Sequence, residues 1–163
     1  MTDLAPLASL AGDLIADCTA HNLKIATAES CTGGLIVGTL TEVAGSSAAV
    51  DRGFVTYSNE AKTEMLGVPA DLITQVGAVS QEVAIAMAQG AILRSDADIA
   101  VSVTGVAGPG GGTKDKPVGL VHFAAMRRGK TPEHAEFLFG DIGRSEIRLA
   151  TIRQALLMMR GLI

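Results

Sequence analysis

Residues 26–35 read ATAESCTGGL. The stretch joins a short apolar run to a segment with helical spacing. Between them stand Glu29, Ser30, Cys31 and Thr32 in a row, followed by Gly33 and Gly34. A connecting turn needs a cap and one glycine, so this junction carries more side-chain chemistry than a connection requires. Residues 24–28 are expected to form a strand, residues 32–43 a helix, and Gly45 its stop.

Outward from that junction, helical and extended patterns alternate. Leu7, Leu10, Ala11, Leu14, Ile15 and Cys18 keep helical spacing over residues 4–20. Residues 53–57 and 99–104 read as strands by composition. Ser58 or Asn59 can cap a helix that Gly67 and Pro69 end, and Ser80 caps a longer one over residues 81–94. A short helix lies between them at residues 70–75. Residues 118–125 and 133–139 read as an antiparallel hairpin, its tip the basic cluster Arg127, Arg128 and Lys130, taken as a solvated turn. Ser145 is expected to cap a last helix.

Helix-linked strands early and a hairpin late predict a three-layer α/β/α sandwich. Its sheet is mixed, mostly parallel, with a C-terminal antiparallel hairpin. The 163 residues are read as one domain, 1–163. In open sheets of this kind ligands gather beyond the carboxyl ends of parallel strands. Residues 29–34, 57–62 and 104–112 are expected to converge there.

Composition narrows the function. The net charge is −4 and no basic stripe is present, which argues against a nucleic-acid partner. Two cysteines make no disulfide framework, and neither they nor the three histidines show metal-ligand spacing. No secretory leader or membrane-spanning run is seen, so a cytoplasmic protein with no membrane partner is expected.

Ser30, where a strand gives way to a helix, reads either as a plain cap or as a nucleophile served by unpartnered N–H groups. Thr32 reads either as an alternative cap or, with Gly33, as part of the substrate site, and Gly33 and Gly34 let a substrate approach the backbone closely. A serine nucleophile needs a base, and His21, His122 and His134 all lie away from the converging segments. Lys62, early in the helix after the second strand, is the remaining candidate. It reads either as a surface lysine pairing with Glu60 or Glu64, or as a buried amine whose pKa is depressed toward neutrality. Thr104 and Gly105 open the glycine-rich segment VAGPGGG (106–112), which could offer N–H groups to an anion or serve only as a connection. Arg144 and Arg148 suit phosphate or carboxylate recognition, or an ordinary solvated role.

Taken together, TAESCTGGL (27–35), GSSAAVDRGFVTYSNEAKTEMLGV (45–68), GAVSQEVA (77–84), VSVTGVAGPGGGTKDKPVGLV (101–121) and GRSEIR (143–148) resemble the CinA C-terminal domain family of nicotinamide mononucleotide deamidases. The resemblance implies hydrolysis of the carboxamide of nicotinamide mononucleotide to nicotinate mononucleotide and ammonia, with no metal and no cofactor. It places the nucleophile on Ser30, the lysine base on Lys62 and an assisting serine on Ser47. It places Tyr57, Thr104, Gly105 and Arg144 near the substrate. Relatives often carry an acid immediately before the arginine; here Gly143 stands there and Asp141 lies two residues earlier. Relatives are also often preceded by a separate N-terminal domain, and a stand-alone enzyme is expected here. Small α/β enzymes of this kind are often homodimers, though the sequence does not fix the oligomeric state. The competing readings are a non-catalytic nucleotide-binding module and an accessory protein in competence or DNA damage.

Overall fold

A computed structural model describes residues 2–163. A 3₁₀ turn (Ala5–Leu7) leads into α1 (Ala8–Ala20), then β1 (Ile25–Glu29) and α2 (Leu35–Thr41). A second 3₁₀ turn (Ser46–Ala48) precedes β2 (Val50–Val55), followed by α3 (Asn59–Leu66), α4 (Ala70–Val76) and α5 (Gln81–Leu93). The chain closes with β3 (Ile99–Gly105), β4 (Leu120–Arg127), β5 (Glu133–Leu138) and α6 (Arg144–Arg160).

The five strands form one sheet in the order β2-β1-β3-β4-β5. β1 pairs in parallel with β2 and β3, while β4 runs antiparallel to both β3 and β5. Glu29 stands level with Val55 on one side and Val103 on the other. The carboxyl ends of β1, β2 and β3 therefore finish at a common edge, and the segments after them meet.

Side chains alternate across the sheet. Ile25, Ile99, Val101 and Val103 face the layer of α1, α2 and α6. Ala26, Ala28 and Ala100 face the layer of α3, α4 and α5. The second face is paved with small residues, which lets α5 lie close to the strands: Ala84 and Ala88 meet Ala124. Ser102 Oγ reaches the Ala84 carbonyl at 2.6 Å. A core this tight needs few aromatic rings, which accounts for their scarcity in the sequence.

Ser58 and Ser80 cap α3 and α5 as expected, accepting from the N–H groups of Ala61 and Val83. Two expected helix starts differ. α2 begins at Leu35, and residues 30–34 form a turn because Gly33 and Gly34 adopt φ of 61° and 93°. α6 begins at Arg144 behind Gly143, with no side-chain cap, so Ser145 lies inside the helix. The basic hairpin tip is also more than a solvated turn. Arg128 donates to the carbonyls of Ile92, Ser95 and Ala97 at the end of α5, and Arg127 to those of Leu162 and Ile163.

Candidate active site

Ser30 follows the last residue of β1, and its N–H is held by the Val103 carbonyl at 3.1 Å. The helix that carries Lys62 starts after β2, so the shared strand edge delivers both residues to one place. Lys62 Nζ lies 3.0 Å from Ser30 Oγ, 2.8 Å from the Thr56 carbonyl and 3.4 Å from the Ser58 carbonyl. Although Lys62 opens a largely exposed helix, its side chain is only 1% accessible. It is no surface lysine: no carboxylate lies within salt-bridge distance of it among the described residues. Burial pushes its pKa below the ordinary lysine value, with the acidic groups Cys31 and Glu60 opposing that shift.

The space in front of Ser30 is a cavity of about 270 Å³. Cys31, Tyr57, Val79 and Arg144 line it together with the glycine-rich loop after β3. All three strand-end segments expected to converge contribute to it. A larger recess of about 620 Å³ lies between α1 and α2, but it holds no nucleophile–base pair. Cys31 is buried and its thiol is pushed up to about 12, first by burial, so beside Ser30 it stays protonated. In the turn at 30–34, the Gly33 N–H returns to the Ser30 carbonyl. The N–H groups of Cys31 and Thr32 bond to no other residue among the described residues.

Arg144 and Tyr57 meet at the mouth of this cavity. Arg144 donates from Nη1 to the Gly108 carbonyl at 2.8 Å and from Nη2 to the Tyr57 hydroxyl at 3.3 Å. Tyr57 is 63% exposed, so a guanidinium and an aromatic ring stand at the entrance. Gly105 lines the wall, and a Cβ there would lie 2.7 Å from the Leu120 carbonyl oxygen and from Val121 Cγ2.

Four residues named from the sequence sit differently. Ser47 lies in the 3₁₀ turn before β2, at the amino end of the sheet, where its carbonyl receives Lys24 Nζ at 3.3 Å. The whole of β1 separates it from Ser30, on the order of 15 Å at strand rise. It cannot relay a proton to Lys62, and the direct contact between Lys62 and Ser30 needs no relay. The Thr32 side chain turns inward, its hydroxyl donating to Glu29 Oε2 at 2.7 Å. Gly33 lies on the outer side of the turn, where an added Cβ would come 3.5 Å from Arg148 Nη2. Thr104 is buried and its hydroxyl holds the Ala78 carbonyl at 2.8 Å, which places Val79 at the cavity wall. Of these four, only main-chain groups of the turn are left to face a ligand.

The histidines stay apart from the cavity. His21 Nδ1 sits 2.9 Å from the Asp17 carbonyl at the end of α1. His122 and His134 approach each other across the hairpin, N to N at 3.1 Å, and burial lowers the pKa of His122. No group of three or more His, Cys, Asp or Glu side chains among the described residues is arranged to hold a metal ion. No helix among them is long and apolar enough to cross a membrane.

Two contributors escaped the sequence reading. One is the Thr56 carbonyl, a main-chain group that no residue type announces. The other is Glu29, wholly buried at the end of β1. Its signal was weak: a glutamate at the end of a strand reads as exposed, because it is almost never fully buried unless paired, and only the nearby Thr27 and Thr32 hydroxyls hinted at partners.

Fold and site together define a three-layer α/β protein that holds a serine and a buried lysine at the carboxyl edge of its sheet. The chain belongs to the CinA C-terminal domain family, which it matches over residues 7–163. It is 50% identical over 155 residues to a CinA-like protein of Akkermansia muciniphila, covering 94% of this chain and 37% of that one. It is 57% identical over 116 residues to a CinA-like protein of Colwellia psychrerythraea, covering 71% and 27%. The chain thus spans between a quarter and two fifths of the length of these curated relatives. Among solved structures, it superposes on the competence/damage inducible protein CihA from Agrobacterium tumefaciens with a TM-score of 0.94. The two share 58% identity over 96% of this chain and 94% of that one. A CinA superfamily protein from Escherichia coli gives 0.90 at 34% identity, over 96% of this chain and 90% of that one.

Proposed function

We propose that this chain is a metal-independent amidohydrolase that converts nicotinamide mononucleotide to nicotinate mononucleotide and ammonia. The observation that carries the reading is the 3.0 Å approach of Lys62 Nζ to Ser30 Oγ with the lysine buried. Acyl transfer from an amide needs a deprotonated nucleophile, a home for the oxyanion and a proton for the departing nitrogen.

Each need has a group to meet it. A neutral lysine places its two amine hydrogens on the Thr56 and Ser58 carbonyls, which turns the lone pair toward Ser30. Lys62 takes the Ser30 proton as Oγ attacks the carboxamide carbon. The N–H groups of Cys31 and Thr32, which no other residue takes up, receive the oxyanion. As the C–N bond breaks, protonated Lys62 returns its proton to the leaving nitrogen, and ammonia departs. A water then attacks the Ser30 ester with Lys62 again as base, releasing nicotinate mononucleotide and restoring the serine. Arg144 at the cavity mouth suits the nucleotide phosphate, and the exposed Tyr57 ring suits a face of the pyridinium.

The test is an ammonia-release assay over a panel of nucleotide and non-nucleotide amides. Nicotinamide mononucleotide is expected to be the best substrate, with activity retained in the presence of a chelator. Binding of the nucleotide without ammonia release would leave a ligand-holding module instead.

A further inference from the structure

The chain buries one carboxylate that the chemistry above does not use. Glu29 is fully inaccessible and has no cationic partner within salt-bridge distance among the described residues. Burying a charge in this way is costly unless every lone pair is satisfied. Here five donors converge on it. Oε2 accepts from Thr32 Oγ1 at 2.7 Å and from the N–H groups of Gly34 and Ile36, each at 3.0 Å. Oε1 accepts from the Val37 N–H at 2.8 Å and from Thr27 Oγ1 at 3.0 Å.

A helix cap alone does not explain this arrangement. α2 has Gly34 at its N-cap and no side-chain cap of its own. At φ of 93° Gly34 lies outside the extended region in which a Ser or Asp side chain caps a helix, so the carboxylate takes over the Ile36 and Val37 N–H groups from inside the fold. Beyond capping, the buried carboxylate grips the turn at 30–34 itself, through Thr32 at its middle and Gly34 at its exit. The main chain of the same residue serves the base. The Glu29 carbonyl accepts from the Thr56 N–H at 2.8 Å, and the Thr56 carbonyl in turn holds Lys62. From the far side, Arg148 Nη2 donates to the Thr32 carbonyl at 2.7 Å, so the turn is clamped between two charged side chains.

We propose that Glu29 is a positioning residue of the Ser30–Lys62 site, its carboxylate holding the turn at 30–34 so that Ser30 Oγ and the Cys31 and Thr32 N–H groups keep their aim. It touches no reacting atom. This inference rests on the amidohydrolase reading, because it takes Ser30 as the nucleophile.

Its test uses the intact chain and two readouts. One is kcat and KM for nicotinamide mononucleotide. The other is the rate at which a fluorophosphonate modifies Ser30, followed by intact mass at a series of pH values with Ser30→Ala as the blank. Glu29→Gln keeps the shape but aims an NH₂ at N–H donors. It is expected to lower kcat about 10²-fold, as a misplaced nucleophile does, with KM changed less than about threefold. Ser30 modification should slow in parallel, while the pH midpoint set by Lys62 stays put. A merely structural role would lower the melting temperature and leave both rates at Ser30 unchanged, and that result overturns the proposal.

Thr32→Val carries the test if Glu29→Gln does not fold. It deletes the one side-chain donor inside the turn, and about a tenfold loss in both rates is expected; wild-type rates overturn the proposal. Should the wild type modify readily at Ser30 yet release no ammonia, the substrate reading fails and the modification rates still decide the role of Glu29. A wild-type Ser30 no more reactive than an ordinary serine would overturn both.

Discussion

Lys62 Nζ and Ser30 Oγ stand 3.0 Å apart although 32 positions of chain separate them. Each is held by backbone rather than by another charge. The Val103 carbonyl fixes Ser30, and the Thr56 and Ser58 carbonyls fix Lys62. A buried lysine anchored by neutral oxygens, with no carboxylate in salt-bridge distance among the described residues, draws less from Cys31 and Glu60 than burial takes away, so burial dominates its pKa. That is the condition under which an amine can act as a base.

The pair should therefore fail when either member changes. Ser30→Ala and Lys62→Met are each expected to lower kcat by at least about 10³-fold, within the range for lost nucleophile or base catalysis. Lys62→Arg should be as inactive as Lys62→Met, because a guanidinium stays protonated. Steady-state ammonia release with circular dichroism as a folding check decides this. Near-normal turnover in Lys62→Arg would remove the lysine from the role of base.

The pH dependence of kcat/KM follows from the depressed pKa of Lys62. The proposed mechanism requires the amine to be neutral in the free protein, so activity is expected to rise with pH and level off before the ordinary lysine value of 10.5. A rate profile still climbing through that value would contradict the burial argument.

Stability should show the same group from the other side. Between its depressed folded-state pKa and 10.5, the unfolded chain binds more protons at Lys62 than the folded one. Stability therefore rises with pH across that window, and the cost of the buried amine is largest below it. Urea denaturation of the wild type and Lys62→Met should give a difference that moves in favour of the wild type as pH increases. A difference independent of pH would mean that the amine titrates normally in the folded chain.

Arg144 should act on binding rather than on chemistry. Arg144→Ala is expected to raise KM for nicotinamide mononucleotide by about tenfold or more, the scale of a lost charged hydrogen bond, with kcat little changed. Nicotinamide riboside, which lacks the phosphate, should show no such penalty. Equal effects on both substrates would place the guanidinium's role elsewhere, in holding the loop through Gly108.

A structural prediction concerns the close layer of helices. A Cβ on Gly90 in α5 would collide with the Leu66 carbonyl of α3, a backbone atom that cannot move aside. Gly90→Ala should therefore destabilise the chain by about 1–3 kcal/mol, despite alanine's better helix propensity. Chemical denaturation would reveal the error if the variant proved as stable as the wild type.

Much of this molecule can be read without coordinates. Alternation of strand and helix patterns leads to the layered sandwich, because periodicity and caps are local. Ser58 and Ser80 are caps in the sequence and caps in the fold. Ser30 and Lys62 could be nominated, but a surface lysine and a buried base look alike in a linear string. Their difference is solvent access, which depends on what α3 lies against. Ser47 shows the converse: a serine in a motif that the fold carries to the far end of β1.

By itself, then, the amino-acid sequence determined which segments are strands and helices, which residues carry usable chemistry, and that three segments would meet at one sheet edge. Only the tertiary structure decided that Lys62 is dry and aimed at Ser30, that Ser47 is remote, and that Glu29 is the hub of the serine turn. The reason is physical. Periodicity and capping act over a few neighbouring residues, whereas desolvation and hydrogen-bond aim depend on groups brought together from distant parts of the chain.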